Sequence, residues 1–271
     1  MGWPAQIGTW EVGAELGAGG TAEVRAGTGR AADGRVLEVA LKRPLQPDDA
    51  AINALLRSEG RLLASIRHRN VVGVVDLIEG APPVLVLERM HGRTLGERVG
   101  VLPVDKVVAV VGQAAVALTA VHAAANADGP LGIVHRDVSP ENLFITDDGI
   151  VKLFDFNVAC WRGRPQEPGG AAPGRAAYMA PEQARGELVD DRADVFSLGV
   201  VLWELLTGER LFWRGNTIAT LRALVDEPIA SLAERKPELP PTLHALVDRM
   251  LDRDRRRRPS AAEVEATLRA R

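Results

Sequence analysis

Apolar positions recur along the chain in two rhythms, one of strand length and one with helical spacing. Residues 9–16 read as a strand, followed by the glycine-rich run Gly17-Ala-Gly-Gly-Thr-Ala-Glu-Val24 and a second strand. Residues 36–42 form another apolar strand, ending in Val39-Ala-Leu-Lys42. From 48 to 65 the period changes: Ile52, Leu55, Leu56, Leu62, Leu63 and Ile66 recur at helical spacing. Residues 73–79 and 84–90 are strand-like again, joined by a turn at Gly80-Ala-Pro-Pro83. An alanine- and valine-rich helix is predicted over 104–124, a small loop over 126–132 and a short strand over 150–154. Residues 190–207 predict a helix stopped by Gly208. Later helices start at Asn216 and Thr217, cover 240–251, and open at Ser260, where Ser-Ala-Ala-Glu263 has capping-box spacing. Between Asn157 and Met179 glycine and proline are dense enough to predict an irregular loop.

Length and composition narrow the picture. The 271 residues allow one large domain or two lobes sharing a cleft. A hydrophobic share of 46% and a charged share of 25% are ordinary for a soluble globule. The formal net charge of −3 argues against a nucleic-acid partner. Residues 253–258 are rich in arginine, but Asp252 and Asp254 break the charge, and the run reads as a solvated connection between helices. The single cysteine, Cys160, rules out an internal disulfide and fits a reducing cytoplasm. No apolar stretch is expected to reach the roughly 18 residues that span a bilayer, so no membrane segment is expected.

Chemistry concentrates in a few places. The lysines are Lys42, Lys106, Lys152 and Lys236, so a lysine inside the apolar 36–42 strand stands out. Lys42 reads either as a phosphate-holding cation or as a lysine snorkelling from a strand edge. Glu59 lies seventeen residues later, within the helical stretch; it reads as a partner for Lys42 or as a solvated glutamate beside Arg57 and Arg61. The glycine run brings backbone N–H groups close to phosphate oxygens and lets the turn adopt positive φ, although a hairpin without a ligand fits equally. In Ile133-Val-His-Arg-Asp-Val-Ser-Pro-Glu-Asn-Leu-Phe-Ile145, Asp137 is a candidate base and Asn142 a neutral oxygen ligand for a hard cation. Asp155 follows in Phe154-Asp-Phe-Asn157. Two carboxylates and one amide oxygen suit Mg²⁺ carrying substrate phosphates.

His-Arg-Asp-x₄-Asn followed by Asp-Phe, after a glycine run and Val-Ala-Leu-Lys, resembles the eukaryotic-like protein kinase family, in particular its bacterial serine/threonine members. The resemblance spans about residues 7–268. It implies an α+β, bilobal protein-kinase-like fold: a small antiparallel β lobe with one helix (about 7–90), a hinge (about 88–92) and a larger, mainly helical lobe (about 93–268). It implies ATP as co-substrate, with Mg²⁺ or alternatively Mn²⁺, and a protein substrate. Gly17, Ala18, Gly19, Gly20, Val24 and Ala40 would surround the nucleotide. The Glu88 carbonyl and Met90 N–H would meet adenine beside Leu87. Lys42, fixed by Glu59, would hold phosphates; Asp137 would take the hydroxyl proton; Asn142 and Asp155 would hold the metal. By the same resemblance Asp194 braces the catalytic loop and Arg258 pairs with Glu182.

Departures from the family pattern shape the expectations. The third loop glycine is Ala22, and the glycine after Asp-Phe is Asn157, which predicts a stiffer segment. The usual lysine two residues beyond the base is Ser139, and the usual threonine before Tyr178-Met-Ala-Pro-Glu182 is Arg175. Arg175 is therefore expected to return the missing cation to Asp137. No Ser, Thr or Tyr occurs from 157 to 177, so no phosphate on that loop would pair with Arg136; Glu167 would imitate one or stay a solvated glutamate. The alternatives are a pseudokinase acting as a nucleotide-binding or scaffold module, and a small-molecule phosphotransferase.

Overall fold

Three nine-residue strands dominate the first of the two units into which the chain divides, Met1–His91 and Gly92–Arg271. The computed structural model describes residues 2–30, 34–98, 102–164, 166 and 175–270. In the first unit β1 (Gln6–Ile7), β2 (Trp10–Ala18), β3 (Ala22–Arg30), β4 (Val36–Pro44), β5 (Val74–Ile78) and β6 (Val84–Glu88) make one antiparallel sheet, ordered β1-β2-β3-β4-β6-β5. Val39 and Leu41, two apart on β4, share one face. They form a buried cluster with Trp10, Val84 and Val86. Gly29 on β3 is required by this packing, since a Cβ there would come within 2.5 Å of the Trp10 ring.

The single helix among the described residues of this unit, α1 (Ala50–Ala64), starts where Asp49 accepts from the N–H groups of Ala51 (2.8 Å) and Ile52 (3.1 Å). Its buried positions include Leu56, Glu59, Leu62 and Leu63. Glu59 thus lies on the apolar stripe, and a carboxylate so placed needs a cation.

The second unit is mainly helical. It contains β7 (Gly92–Thr94), α2 (Val104–His122), β8 (Ala125–Asn126), β9 (Gly129–Pro130), β10 (Leu143–Thr146), β11 (Val151–Leu153), α3 (Pro181–Ala184), α4 (Arg192–Thr207), α5 (Thr217–Asp226), α6 (Leu232–Arg235), α7 (Pro241–Met250) and α8 (Ala261–Arg269). Strands β11, β10 and β7 form a small sheet, and β8 pairs with β9. Gly92 has φ +142°, and a Cβ there would collide with the Ile145 carbonyl, so only glycine lets β7 join β10.

Helix α4 is buried from Ala193 to Leu206, as its nearly unbroken apolar sequence requires. Gly208 stops it at φ +76°. The capping box of α8 is formed, with Ser260 N donating to Glu263 Oε2 at 2.7 Å and Glu263 N to Ser260 Oγ at 3.2 Å.

Helix α2 corrects one expectation. Its 19 residues reach a mean hydropathy of 1.7 over an 18-residue window, long and apolar enough by length and composition to cross a membrane. Here its valines and alanines have protein neighbours: Val107, Val111, Ala115, Leu118 and Val121 are buried, and the helix packs against α4, α8 and β11.

Candidate active site

In the first unit the glycine run is a tight hairpin. β2 extends through Ala18 and β3 begins at Ala22, with Gly17 paired to Val24 and Ala18 to Glu23. Gly19 N closes the turn on Ala22 O at 2.8 Å. Contrary to expectation, Gly17, Gly19 and Gly20 all keep φ outside the left-handed region. What glycine supplies here is space: a Cβ on Gly17 or Gly20 would meet nothing within 4 Å. Ala22, in place of a third glycine, is buried in the sheet.

Lys42 lies on β4 with Val24 and Leu85 as its cross-strand neighbours. Its Nζ is 2.8 and 2.9 Å from the two carboxylate oxygens of Glu59, and both residues are buried. The snorkelling and solvated alternatives therefore fall away. Ala40 pairs with Leu87 on β6. Glu88 ends β6 and its carboxylate accepts from Gly73 N at 2.7 Å. The Met90 N–H, just past the strand, has no hydrogen-bond partner among the described residues.

In the second unit the loop before β10 is suspended from the buried Asp194 of α4. Asp194 Oδ2 accepts from His135 N (2.9 Å) and lies 2.8 Å from His122 Nε2; Oδ1 accepts from Arg136 N (2.8 Å). Burial alone would raise the Asp194 carboxyl. The His122 hydrogen bond and charge, with the loop N–H groups, outweigh burial and hold it below the ordinary carboxylate value. Gln183 Nε2 donates to Arg136 O at 2.9 Å, fixing the loop from a second side. Asp137 N donates to His135 Nδ1 (3.3 Å), which leaves Nε2 protonated toward Phe154 O (3.2 Å). His122 and Gln183 were not singled out from sequence. His122 closes an apolar helix, and Gln183 follows the Pro181-Glu182 pair, so neither carries a local signature.

Asp137 and Asn142 meet as their five-residue spacing suggests: Asn142 Nδ2 donates to Asp137 Oδ2 (2.7 Å) and to its carbonyl (2.8 Å). With its amide N so committed, Asn142 Oδ1 accepts no hydrogen bond among the described residues. Burial pushes the Asp137 carboxyl up; the Arg175 charge is the largest influence pulling the other way. Asp155 has φ +64°. It and Arg136 are the non-glycine residues with positive φ among those described, so Asn157 keeps an ordinary backbone. The left-handed bend thus falls on Asp155 and not on the residue that replaces the usual glycine.

Arg175 meets Asp137, the candidate base, although 38 residues separate them. Its N–H donates to Asp137 Oδ1 (3.0 Å), and Nη1 donates to Asp137 Oδ2 (3.0 Å) and to Ser139 Oγ (3.2 Å). Just beyond, Tyr178 OH donates to the buried Glu204 at 2.9 Å, and Arg210 also pairs with Glu204. Glu182 and Arg258 form a buried two-bond ion pair at 2.7 and 2.9 Å. Arg258 is therefore buried, unlike the solvated run expected over 253–258. Arg136 has no ion pair among the described residues; Glu167, the proposed phosphate mimic, lies outside them.

Comparison with known proteins gives the family. The family model described as protein kinase domain matches residues 10–267. The chain is 37% identical over 246 residues to the tyrosine-protein kinase MasK of Myxococcus xanthus, covering 86% of this chain and 38% of that protein. It is 34% identical over 274 residues to the serine/threonine-protein kinase PknB of Mycolicibacterium smegmatis, covering 96% and 42%. It is also 34% identical over 247 residues to the serine/threonine-protein kinase PknL of Mycobacterium tuberculosis, covering 86% and 58%. The chain thus spans about two-fifths to three-fifths of the length of these curated relatives. With the family match running through both units and every motif in order, this chain belongs to the protein kinase family.

Proposed function

We propose that the chain is an ATP-dependent protein kinase that transfers the γ-phosphoryl group to serine or threonine hydroxyls of a protein substrate. The observation that carries this reading is the buried Lys42–Glu59 pair, 2.8 Å at its closest. A buried ammonium held by both oxygens of one carboxylate is aimed and charged, as a phosphate-holding lysine must be. Asp137 orients the substrate hydroxyl and accepts its proton. Gly17, Ala18, Gly19, Gly20, Val24 and Ala40 flank the nucleotide, and the backbones of Glu88 and Met90 read adenine.

The donor set suits a divalent metal. Among the described residues no cluster of three or more His, Cys, Asp or Glu could cage an ion alone. Asn142 Oδ1 and the Asp155 carboxylate are hard oxygen ligands, the few that Mg²⁺ or Mn²⁺ takes from protein when phosphates supply the rest. When bound, the metal offsets phosphate charge. Asn142 also holds Asp137 in place.

Serine/threonine preference is supported by Ser139-Pro140-Glu141 and by the names of PknB and PknL; MasK is named as a tyrosine kinase. The free, buried Cys160 supports a reducing compartment such as the cytoplasm. The second reading, a pseudokinase scaffold, is favoured by one observation, the absence of a lysine at 139. Incubation with radiolabelled ATP and Mg²⁺ or Mn²⁺, followed by phosphoamino-acid analysis, separates them. Label on serine or threonine that is absent with Asp137→Asn supports the kinase. Metal–ATP binding without transfer to itself or to generic substrates establishes the scaffold. Label on tyrosine alone overturns the specificity.

A further inference from the structure

We propose that Arg175 is a catalytic residue, its guanidinium stabilising the transferring phosphoryl group in the role left vacant by Ser139. This rests on the kinase reading above. A guanidinium has five N–H donors. In Arg175, Nη1 is spent on Asp137 Oδ2 (3.0 Å) and Ser139 Oγ (3.2 Å), and Nε faces Glu141 Oε2 at 3.8 Å. Nη2 has no hydrogen bond among the described residues, and the side chain is 45% exposed. Two donors therefore stand open to a ligand oxygen beside Asp137, on a guanidinium whose charge is shared with that carboxylate. Ser139 is fully buried, and its short side chain adds no charge while its hydroxyl seats the guanidinium. The serine and the arginine form one unit drawn from opposite ends of a 36-residue separation.

The step balances without a further reactant. The substrate hydroxyl proton passes to Asp137 as the new oxygen–phosphorus bond forms. The bond from phosphorus to the β,γ-bridging oxygen breaks, and its electron pair leaves on ADP. As Asp137 gains the proton it loses its charge, and its hold on Arg175 weakens. The guanidinium is then drawn to the phosphoryl oxygens at the moment their charge spreads. A lysine stem at 139 would supply one point charge, whereas Arg175 supplies a planar pair of donors.

The test compares Arg175→Ala with wild type in steady-state transfer to a peptide, and in binding of Mg-ADP with and without aluminium fluoride, which imitates the flat phosphoryl group. Loss of one such donor predicts a fall in kcat on the order of 10²-fold with KM for ATP nearly constant. It also predicts a comparable loss of affinity for Mg-ADP–aluminium fluoride, with Mg-ADP affinity unchanged. Ser139→Lys combined with Arg175→Thr should recover part of both losses. Should the alanine variant fold poorly, Arg175→Gln provides the same comparison with the side-chain bulk retained. An unchanged kcat with a raised KM for the peptide would make Arg175 a selector of acidic substrates and overturn the proposal. That outcome leaves the kinase reading standing, whereas a wild type with no transfer activity at all removes both.

Discussion

Asp194 Oδ1 accepts the backbone N–H of Arg136 at 2.8 Å, and Arg136 holds a φ of +69°. A left-handed conformation at a side-chain-bearing residue costs about 1–2 kcal/mol. The hydrogen bond to a buried carboxylate offsets that cost, and the neighbouring bond from His135 N repeats it. The loop that carries Asp137, the proposed base, is therefore held by a helix more than fifty residues further along the chain.

Replacing Asp194 with Asn keeps the shape and removes the charge. One loop N–H or His122 then loses its acceptor in a dry interior. Stability should fall by about 3 kcal/mol or more, with transfer activity falling alongside. Urea denaturation midpoints at constant m measure the first effect. A change under about 1 kcal/mol would mean that Asp194 does not support the loop as described.

The pH dependence of stability has a definite sign at this residue. The folded-state value of Asp194 lies below its ordinary 3.8, despite burial, because His122 and the loop N–H groups favour the carboxylate. Its contribution is therefore complete above 3.8 and is lost as pH falls below it, through the folded-state value. Melting temperatures should drop more steeply for wild type than for Asp194→Asn as pH falls through and below 3.8. Parallel curves would place the acid sensitivity elsewhere.

Breaking the Lys42–Glu59 pair should separate stability from chemistry. Lys42→Met leaves a buried carboxylate without this cation and should cost about 3–5 kcal/mol. Adding Glu59→Leu should recover much of that stability, because a buried pair replaced by apolar groups is often neutral. Activity should stay low in both. Recovery of kcat in the double variant would show that the pair serves packing alone.

Asp137→Asn should lower transfer by about 10²–10⁴-fold while leaving Mg-ATP affinity nearly intact. Burial raises the Asp137 carboxyl above its ordinary 3.8, and Arg175 opposes that rise. The acid limb of kcat/KM should therefore lie above 3.8, and Arg175→Ala should move it higher still. A downward move would mean that Arg175 does not act on the base.

Phosphatase treatment should leave activity unchanged, because residues 157–177 contain no hydroxyl to carry an activating phosphate. Mapping of any autophosphorylation by mass spectrometry should find it outside that span. Inactivation by phosphatase would direct attention to Tyr178 and the hydroxyls elsewhere.

Much of the site was legible because its parts are local. Asp137 and Asn142 meet through a loop of five residues, Ser260 caps the helix that follows it, and helical spacing puts Glu59 on the apolar stripe with Leu56 and Leu63. Spacing of this kind fixes backbone turns and the faces of an element, since both depend on residues a few positions apart.

What tertiary structure decided involves partners far apart in sequence, or backbone angles set by their surroundings. It placed the left-handed bend on Asp155 rather than Asn157, kept the loop glycines out of that region, and gave the apolar helix α2 protein neighbours. It also recruited His122 and Gln183 to hold the loop, and it brought Arg175 within 3.2 Å of Ser139. Hydrophobic burial is non-directional, so the sequence determined which faces are buried, and only the packed chain decided which polar groups were then left facing one another.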